Sequence, residues 1–451
     1  MTTPVSTLRA QDGPWLGLTI LWHPERERIG QQCLAPDGSA PFELHRYLPL
    51  FRHPGQEGAG LGHRCIARAP LRLQRHADRS VTLALPDSRM AVGVNGVLQT
   101  RPVLQLDQEQ ITRGVVLSLG GMVLLCLHWM RGLPQRNPLP GILGVSDAAV
   151  ALRAQIRQVA RTELPVLLLG ETGTGKDLAA RAIHAGSDRK TRPFVAVNMA
   201  ALSESLAAAD LFGAAKGAYT GAQQARGGLF AEAGDGTLFL DEIGDTPAPV
   251  QPMLLRVLEN GEYRPLGARQ TLLSQARLIA ATDRDLGGQG FNQALRRRLE
   301  AFVIDLPPLR ARREDIGVLL AEALAQWSAQ SGQAVDLPPA LVGQLCLEDW
   351  PGNIRQLAHV ARRAAMAVAA GDTPVLAALL PPPDAPREAG LASPARPARA
   401  NLAELTAPQI AAAMARNGWQ IQAAARDLGI SRPSLYKLLQ RHPEIRRPGA
   451  V

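Results

Sequence analysis

Val166-Leu167-Leu168-Leu169-Gly170-Glu171-Thr172-Gly173-Thr174-Gly175-Lys176-Asp177 decides how this chain is read. Four apolar residues without helical spacing suit a buried parallel strand. Glycines then permit a tight turn, and Leu178-Ala179-Ala180-Arg181-Ala182-Ile183 has helical character. Strand, loop and helix in this order, with G-x-x-x-x-G-K spacing, make a phosphate-binding loop. Its successive N–H groups and the helix dipole face an anion, and Lys176 reaches the β/γ oxygens of a nucleotide. Asp177 stands where many such loops carry the Ser or Thr that ligates magnesium, so the metal must be held mainly elsewhere.

Downstream, apolar strands alternate with amphipathic helices, the mark of an α/β domain with a parallel sheet. The expected strands are Phe194–Val197, Thr237–Leu240, Leu278–Ala281 and Phe302–Ile304. Asp241 and Glu242 directly follow Leu240, 65 residues beyond Lys176. At a strand end one carboxylate can hold magnesium while the next orients an attacking water. Upstream, Trp15 to Trp129 alternates instead: Leu71/Leu73, Val81/Leu83/Leu85, Val115/Leu117/Leu119 and Val123/Leu125/Leu127. Turn clusters such as Pro36-Asp37-Gly38, Asn95-Gly96 and Gly120-Gly121 separate these runs, which reads as an all-β sandwich. Gly132 to Pro140 holds three prolines and reads as a linker.

The chain has 451 residues, enough for about three domains. Its 49 basic and 40 acidic residues give a net +9, which leans toward anionic partners. Cys33, Cys65, Cys126 and Cys346 lie far apart, which argues against zinc sites or a disulfide framework and suits a reducing cytoplasm. The start lacks the pattern of a secretory signal. Val115 to Met130, interrupted by Ser118, Gly120, Gly121 and His128, is too broken to span a bilayer. Residues 381–400 carry six prolines and six alanines and form a tether. Beyond it, Thr406-Ala407-Pro408-Gln409 has the form of a capping box and Asn417-Gly418 closes the helix it opens. Gln422–Leu428, Gly429-Ile430 and Ser431–Leu439 then read as a helix-turn-helix, with Ser431 as cap and Arg432, Ser434, Tyr436 and Lys437 facing out. Residues 401–451 contain seven basic and three acidic side chains, which suits phosphate contacts with double-stranded DNA.

Gly170–Lys176, Gly217-Ala218-Tyr219-Thr220-Gly221-Ala222, Gly236-Thr237-Leu238-Phe239-Leu240-Asp241-Glu242-Ile243 and Trp350-Pro351-Gly352-Asn353-Ile354-Arg355 occur in this order. Together they resemble the bacterial enhancer-binding proteins, AAA+ activators of sigma-54 RNA polymerase. The resemblance covers about Gly141 to Leu380 and continues into the tail, which resembles the Fis-type DNA-binding module. It implies ATP and Mg2+ as cofactors and a loop, Gly217 to Ala222, that touches sigma-54. It also implies an Asn198 that bonds the catalytic Glu242, an arginine finger at Arg298 reaching a neighbouring subunit, and a lid sensor at Arg355. Four of its residues depart from the pattern. Asn292 occupies a second finger position, Asp283 stands for an asparagine, and Ala214-Ala215 replace polar residues before the loop. The first third, through Arg28-Ile29-Gly30, Ile66–Leu71 and Val94-Asn95-Gly96, resembles a forkhead-associated domain, though Gln31 and Ala67 replace two phosphate-binding side chains.

The expectation is a multidomain cytoplasmic activator. Residues 1–131 form a degenerate forkhead-associated-like β-sandwich for a protein or phosphopeptide ligand, and 132–140 a linker. Residues 141–380 form an α/β P-loop AAA+ ATPase with a helical lid, 381–400 a flexible linker and 401–451 an all-α helix-turn-helix. Dimers to hexameric rings would bind upstream enhancer DNA and remodel sigma-54 RNA polymerase closed complexes, without a membrane. The alternative is a nucleotide-binding DNA regulator with impaired or absent ATP hydrolysis.

Overall fold

A computed structural model describes residues 14–36, 40–218, 224–288, 290–380, 407–416, Leu435 and His442. The chain forms two compact units, one running to Pro382 and one from Pro383 to Val451.

The first unit opens with a sheet-rich domain: β1 (Trp15–Trp22), β2 (Gln32–Leu34), β3 (Phe42–Leu44), β4 (Leu71–Arg75), β5 (Val81–Ala84), β6 (Val92–Val94), β7 (Val97–Leu98), β8 (Val103–Leu106), α1 (Gln108–Arg113), β9 (Val115–Leu119) and β10 (Val123–Met130). Two antiparallel sheets, ordered β2-β1-β10-β9-β6-β7 and β3-β4-β5-β8, share one core that includes Leu18, Leu73, Leu83, Leu117 and Leu125. The alternating residues therefore point inward as expected. The Asn95-Gly96 turn closes the β6–β7 hairpin with both residues at positive φ, 47° and 79°, the geometry that favours this pair. Helix α1 is not announced by the alternation; Asp107 and Gln110 close a capping box at its start.

Residues 131–146 contain no helix or strand. An α/β domain follows with α2 (Asp147–Ala160), β11 (Val166–Leu169), α3 (Lys176–Ala185), β12 (Phe194–Asn198), α4 (Ala207–Phe212), α5 (Leu229–Ala233), β13 (Thr237–Asp241), α6 (Gln251–Asn260), the short pair β14 (Glu262–Tyr263) and β15 (Leu272–Leu273), β16 (Arg277–Thr282), α7 (Gln293–Leu299) and β17 (Val303–Asp305). Its five-stranded parallel sheet runs β12-β13-β16-β11-β17, so the strand feeding the phosphate loop lies between β16 and β17. The central strands β11, β13 and β16 are buried on both faces, which explains their continuous apolar runs.

The lid comprises α8 (Ile316–Ser331), α9 (Pro339–Leu345), α10 (Asn353–Ala369) and α11 (Leu376–Leu379) around Trp350, Leu320, Leu357 and Val360. The same cluster takes in Leu21, Trp22, Val116, Leu124 and Cys126 from the sheet-rich domain. The outer face of β1, β9 and β10 is thus covered by the lid. In the second unit α12 spans Ala407–Arg416, with Ile410, Ala413 and Met414 buried. No described helix is long and apolar enough to cross a membrane.

Candidate nucleotide site

Glycines shape the loop after β11. Gly175 stands at φ 105°, a region open to glycine, and α3 begins at the next residue, so its unpaired first-turn amides point back toward the loop. Gly173 has no room for a side chain, because a Cβ there would overlap the carbonyl oxygen of Gly352 in the lid. Lys176 is buried and its Nζ donates to the Gly170 carbonyl at 2.7 Å. Thr174 Oγ1 donates to the Glu171 carbonyl at 2.8 Å. Asp177, on the first turn of α3, pairs with Arg181 at 3.2 Å.

Asp241 ends β13, and Glu242 follows at φ 52° and ψ 49°. A left-handed glutamate is strained by roughly 1–3 kcal/mol, and such residues concentrate where a side chain must be aimed. Burial raises both carboxyls above their usual range. At Asp241, Lys176 pulls the other way with Arg355 behind it; at Glu242, Lys176 opposes while Asp283 and Asp241 add to the rise. Asp283, just past β16, donates its backbone N–H to Glu242 and accepts the Thr172 hydroxyl on Oδ2 at 2.8 Å. One aspartate therefore links the phosphate loop to Glu242.

Asn198 ends β12 in register with Asp241, but its Oδ1 accepts the Ala200 amide at 2.9 Å. No bond from Asn198 to Glu242 is present among the described residues. Arg355 is exposed on the first turn of α10, where its backbone lies over Gly173. Two further residues bind the loop, and sequence reasoning missed both in this role. Arg310 Nη1 donates to Glu171 Oε2 at 2.8 Å, and this pairing, with Asn353 behind it, draws the Glu171 carboxyl below its usual range. Buried Asn353 donates from Nδ2 to Glu171 Oε2 at 3.2 Å and to the Thr172 carbonyl at 3.1 Å, and accepts the Leu309 amide at 2.7 Å. The Trp-Pro-Gly-Asn run signals the start of α10, but nothing local shows that its asparagine reaches a loop 182 residues away. Beside Gly170, a cavity of about 420 Å³ opens between Ala148, Ala151, Leu152, Leu169, Pro307 and Pro308. Its apolar walls suit a flat ring.

Arg298 is exposed on α7 and lies 3.5 Å from Glu259. Arg296 is tied to Glu300 at 2.6 Å, and Arg297 is exposed. Asn292 caps α7, its Oδ1 accepting the amides of Ala294 and Leu295. A guanidinium has no acceptor for that position, which explains a neutral residue there.

Gly217 and Ala218 are exposed or nearly so, while Tyr219, Thr220, Gly221 and Ala222 lie outside the described residues. The stem of their loop is held by main chain: Ala214 exchanges hydrogen bonds with Arg226 at 2.9 Å each way, and the Ala215 amide donates to Leu266 at 2.8 Å. Latching there needs no polar side chain at 214 or 215. Ser431, Arg432, Ser434, Tyr436 and Lys437 also lie outside the described residues, among which Leu435 is buried.

Residues 142–305 match the sigma-54 interaction domain family. Over 311 residues the chain is 42% identical to the transcriptional regulatory protein ZraR of Klebsiella oxytoca, covering 67% of this chain and 69% of that protein. The chain belongs to the family of sigma-54-dependent transcriptional regulators. As a member it is an ATP-dependent transcription activator with an ATP-binding AAA+ domain. Residues 310–391 match the AAA+ ATPase lid domain and 402–442 the Fis family of bacterial regulatory proteins, a DNA-binding helix-turn-helix. The regulatory protein AtoC of Escherichia coli strain K12 is 41% identical over 264 residues, 57% of each chain. A crystal structure of NtrX from Brucella abortus in complex with ADP is 31% identical, with a TM-score of 0.49 over 66% of this chain and 69% of that one.

Proposed function

We propose that this activator hydrolyses ATP between neighbouring subunits of a ring and uses the cycle to move the Gly217–Ala222 loop against sigma-54, remodelling the closed promoter complex. The observation that carries the reading is Glu242: a strained, half-buried carboxylate with a raised affinity for protons, one residue past Asp241 and within the field of Lys176. A base of that kind takes a proton from water more readily than a free carboxylate. Gly170 to Asp177 cradle the phosphates, and Lys176 neutralises the transferred group. The half-buried Asp241 carboxylate, with the Asp177 carboxylate in its field, fits a divalent cation; bound Mg2+ would neutralise phosphate charge. Arg355 reads the nucleotide from the lid, and Arg298, exposed on α7, reaches the neighbour's γ-phosphate. Asn198 passes the nucleotide state onward by exchanging its bond to Ala200 for one to Glu242.

Ser431, Arg432, Ser434, Tyr436 and Lys437 contact upstream DNA as a dimer in the cytoplasm. The sheet-rich domain is a degenerate forkhead-associated-like sandwich that receives the signal. In the test, Glu242→Gln keeps ATP binding and abolishes hydrolysis and open-complex formation; normal promoter opening by that variant refutes the assignment. Asp283 favours a second reading, a regulator whose hydrolysis is impaired, because its carboxylate, bonded to Thr172, sets a negative charge beside the anion that the phosphate loop would hold.

A further inference from the structure

The sheet-rich domain touches both sides of the hinge between the ATPase core and the lid. On the core side, Gln32 Nε2 donates to the Val145 carbonyl at 3.3 Å and the Arg131 amide donates to Asp147 Oδ2 at 2.7 Å. Val145 and Asp147 lead into α2, which packs on the parallel sheet. On the lid side, Leu21, Trp22, Leu124 and Cys126 pack with Ile316, Leu320, Val342 and Leu345. The fit is close: a Cβ on Gly317 of α8 would overlap the Leu21 carbonyl oxygen, and one on Gly30 would lie 2.7 Å from Val318. At the exposed rim Arg26 donates to the Val335 carbonyl and pairs with Asp336 at 2.8 Å.

The hinge itself, Arg310 to Asp315, is bonded to all three parts in turn. Arg310 holds Glu171 of the phosphate loop, and Arg312 Nη2 donates to the Thr174 carbonyl at 3.4 Å. Arg313 Nη1 donates to the Gly114 carbonyl of the sheet-rich domain at 3.4 Å, and Glu314 lies 3.8 Å from His128. Asp315 accepts the amides of Val145 at 2.6 Å and Ser146 at 2.8 Å. Neighbouring residues of one short segment thus grip the nucleotide loop and the regulatory domain.

We propose that the N-terminal domain is a splint across the core–lid hinge, with Arg26, Arg313, Glu314 and Gly317 as positioning residues that fix the lid angle in the resting chain. The nucleotide site lies between the phosphate loop on the core and Arg355 on the lid, so each turnover requires the two to move. A splinted hinge slows that motion, and a signal that lifts the domain off the lid releases it. The splint rests on the ATPase reading for its effect on turnover but not for the docking itself.

Gly317→Ala tests it in the full chain, because the added methyl opposes docking while alanine favours the helix that carries it. Docking is read by alkylation of Cys126, buried under the lid, against Cys33, buried inside the sheet-rich domain's own core. The expected result is roughly tenfold faster labelling of Cys126 with Cys33 unchanged, and kcat for ATP raised about threefold or more with a smaller change in KM. Arg26→Glu, at the rim, changes both readouts in the same direction, and Arg26→Glu with Asp336→Arg restores them in part, because the swap remakes the ion pair but not the Arg26 contacts with Trp22 and the Val335 carbonyl. Exposure of Cys126 without a rise in kcat overturns the proposal, as does continued protection of Cys126 in both single variants. If the parent hydrolyses no ATP, the ATPase reading fails instead, and the splint is then judged by whether undocking alters the Kd for a fluorescent ATP analogue.

Discussion

Asp283 shows how one side chain can alter a site without leaving its place. Its carboxylate takes the Thr172 hydroxyl, its amide serves Glu242, and its charge helps hold the Glu242 carboxyl above the usual range, behind burial. A base must lose its proton to act, so the acid limb of the pH–rate profile follows Glu242. Asp283→Asn keeps an acceptor for Thr172 and removes the charge; the acid limb of kcat/KM then moves to lower pH. An unmoved limb shows that Asp283 does not act through Glu242. Much at this scale was legible in the sequence, because Gly170 to Lys176, Asp241 and Glu242 are fixed by local spacing. Asn292 was legible as a departure but not as a helix cap, since capping depends on where α7 begins. Arg310 and Asn353 acquire their role only when the lid crosses the phosphate loop, and no local pattern encodes that crossing.

Among the elements, the central strands were read nearly to the residue, since a parallel sheet buried on both faces produces uninterrupted apolar runs. The same signature stands in β10. Val123, Leu125 and Leu127 mark its inner face, but Leu124 and Cys126 between them are also apolar, the signature of a second covered face. That face meets Glu314, in the turn just before α8. Burial, with Asp315 adding and Arg312 opposing, lifts the Glu314 carboxyl to about 8, while burial lowers His128 to about 4. The two meet as a neutral acid and a neutral imidazole at pH 7, not as an ion pair. Unfolded, they titrate near 4.5 and 6.5. Glu314 therefore contributes stability that is full below 4.5 and lost as pH rises through 8. His128 contributes stability that is full above 6.5 and lost as pH falls through 4. The opposing slopes offset each other between those limits, and above pH 6.5 only Glu314 acts. The melting temperature of the full chain should fall between pH 6.5 and 8.5, and Glu314→Gln should flatten that fall; an equally steep profile in the variant shows that another group is responsible.

On the scale of the whole molecule, the proposed ring divides the labour of hydrolysis between neighbours. Glu242 serves the nucleotide of its own subunit, and Arg298 that of the next. Arg298→Ala alone should lower kcat by about 10³-fold or more, as loss of a finger does elsewhere. Mixing it with the inactive Glu242→Gln chain should restore part of the activity, since some boundaries then pair an intact Glu242 with an intact Arg298. Mixtures no more active than their components would rule out sharing between subunits. The order in which the chain is made adds a constraint of another kind. The sheet-rich domain is complete once Met130 has emerged, yet Leu124, Cys126 and Trp22 are covered only by lid segments that extend to Leu345. At about 5–20 residues per second, the roughly 200 intervening residues leave that apolar face bare on the ribosome for some 10–40 s. The surface proposed to stiffen the hinge is therefore bare on the nascent chain until the lid emerges, and cells short of chaperones should lose this regulator to aggregation before its lid has been translated.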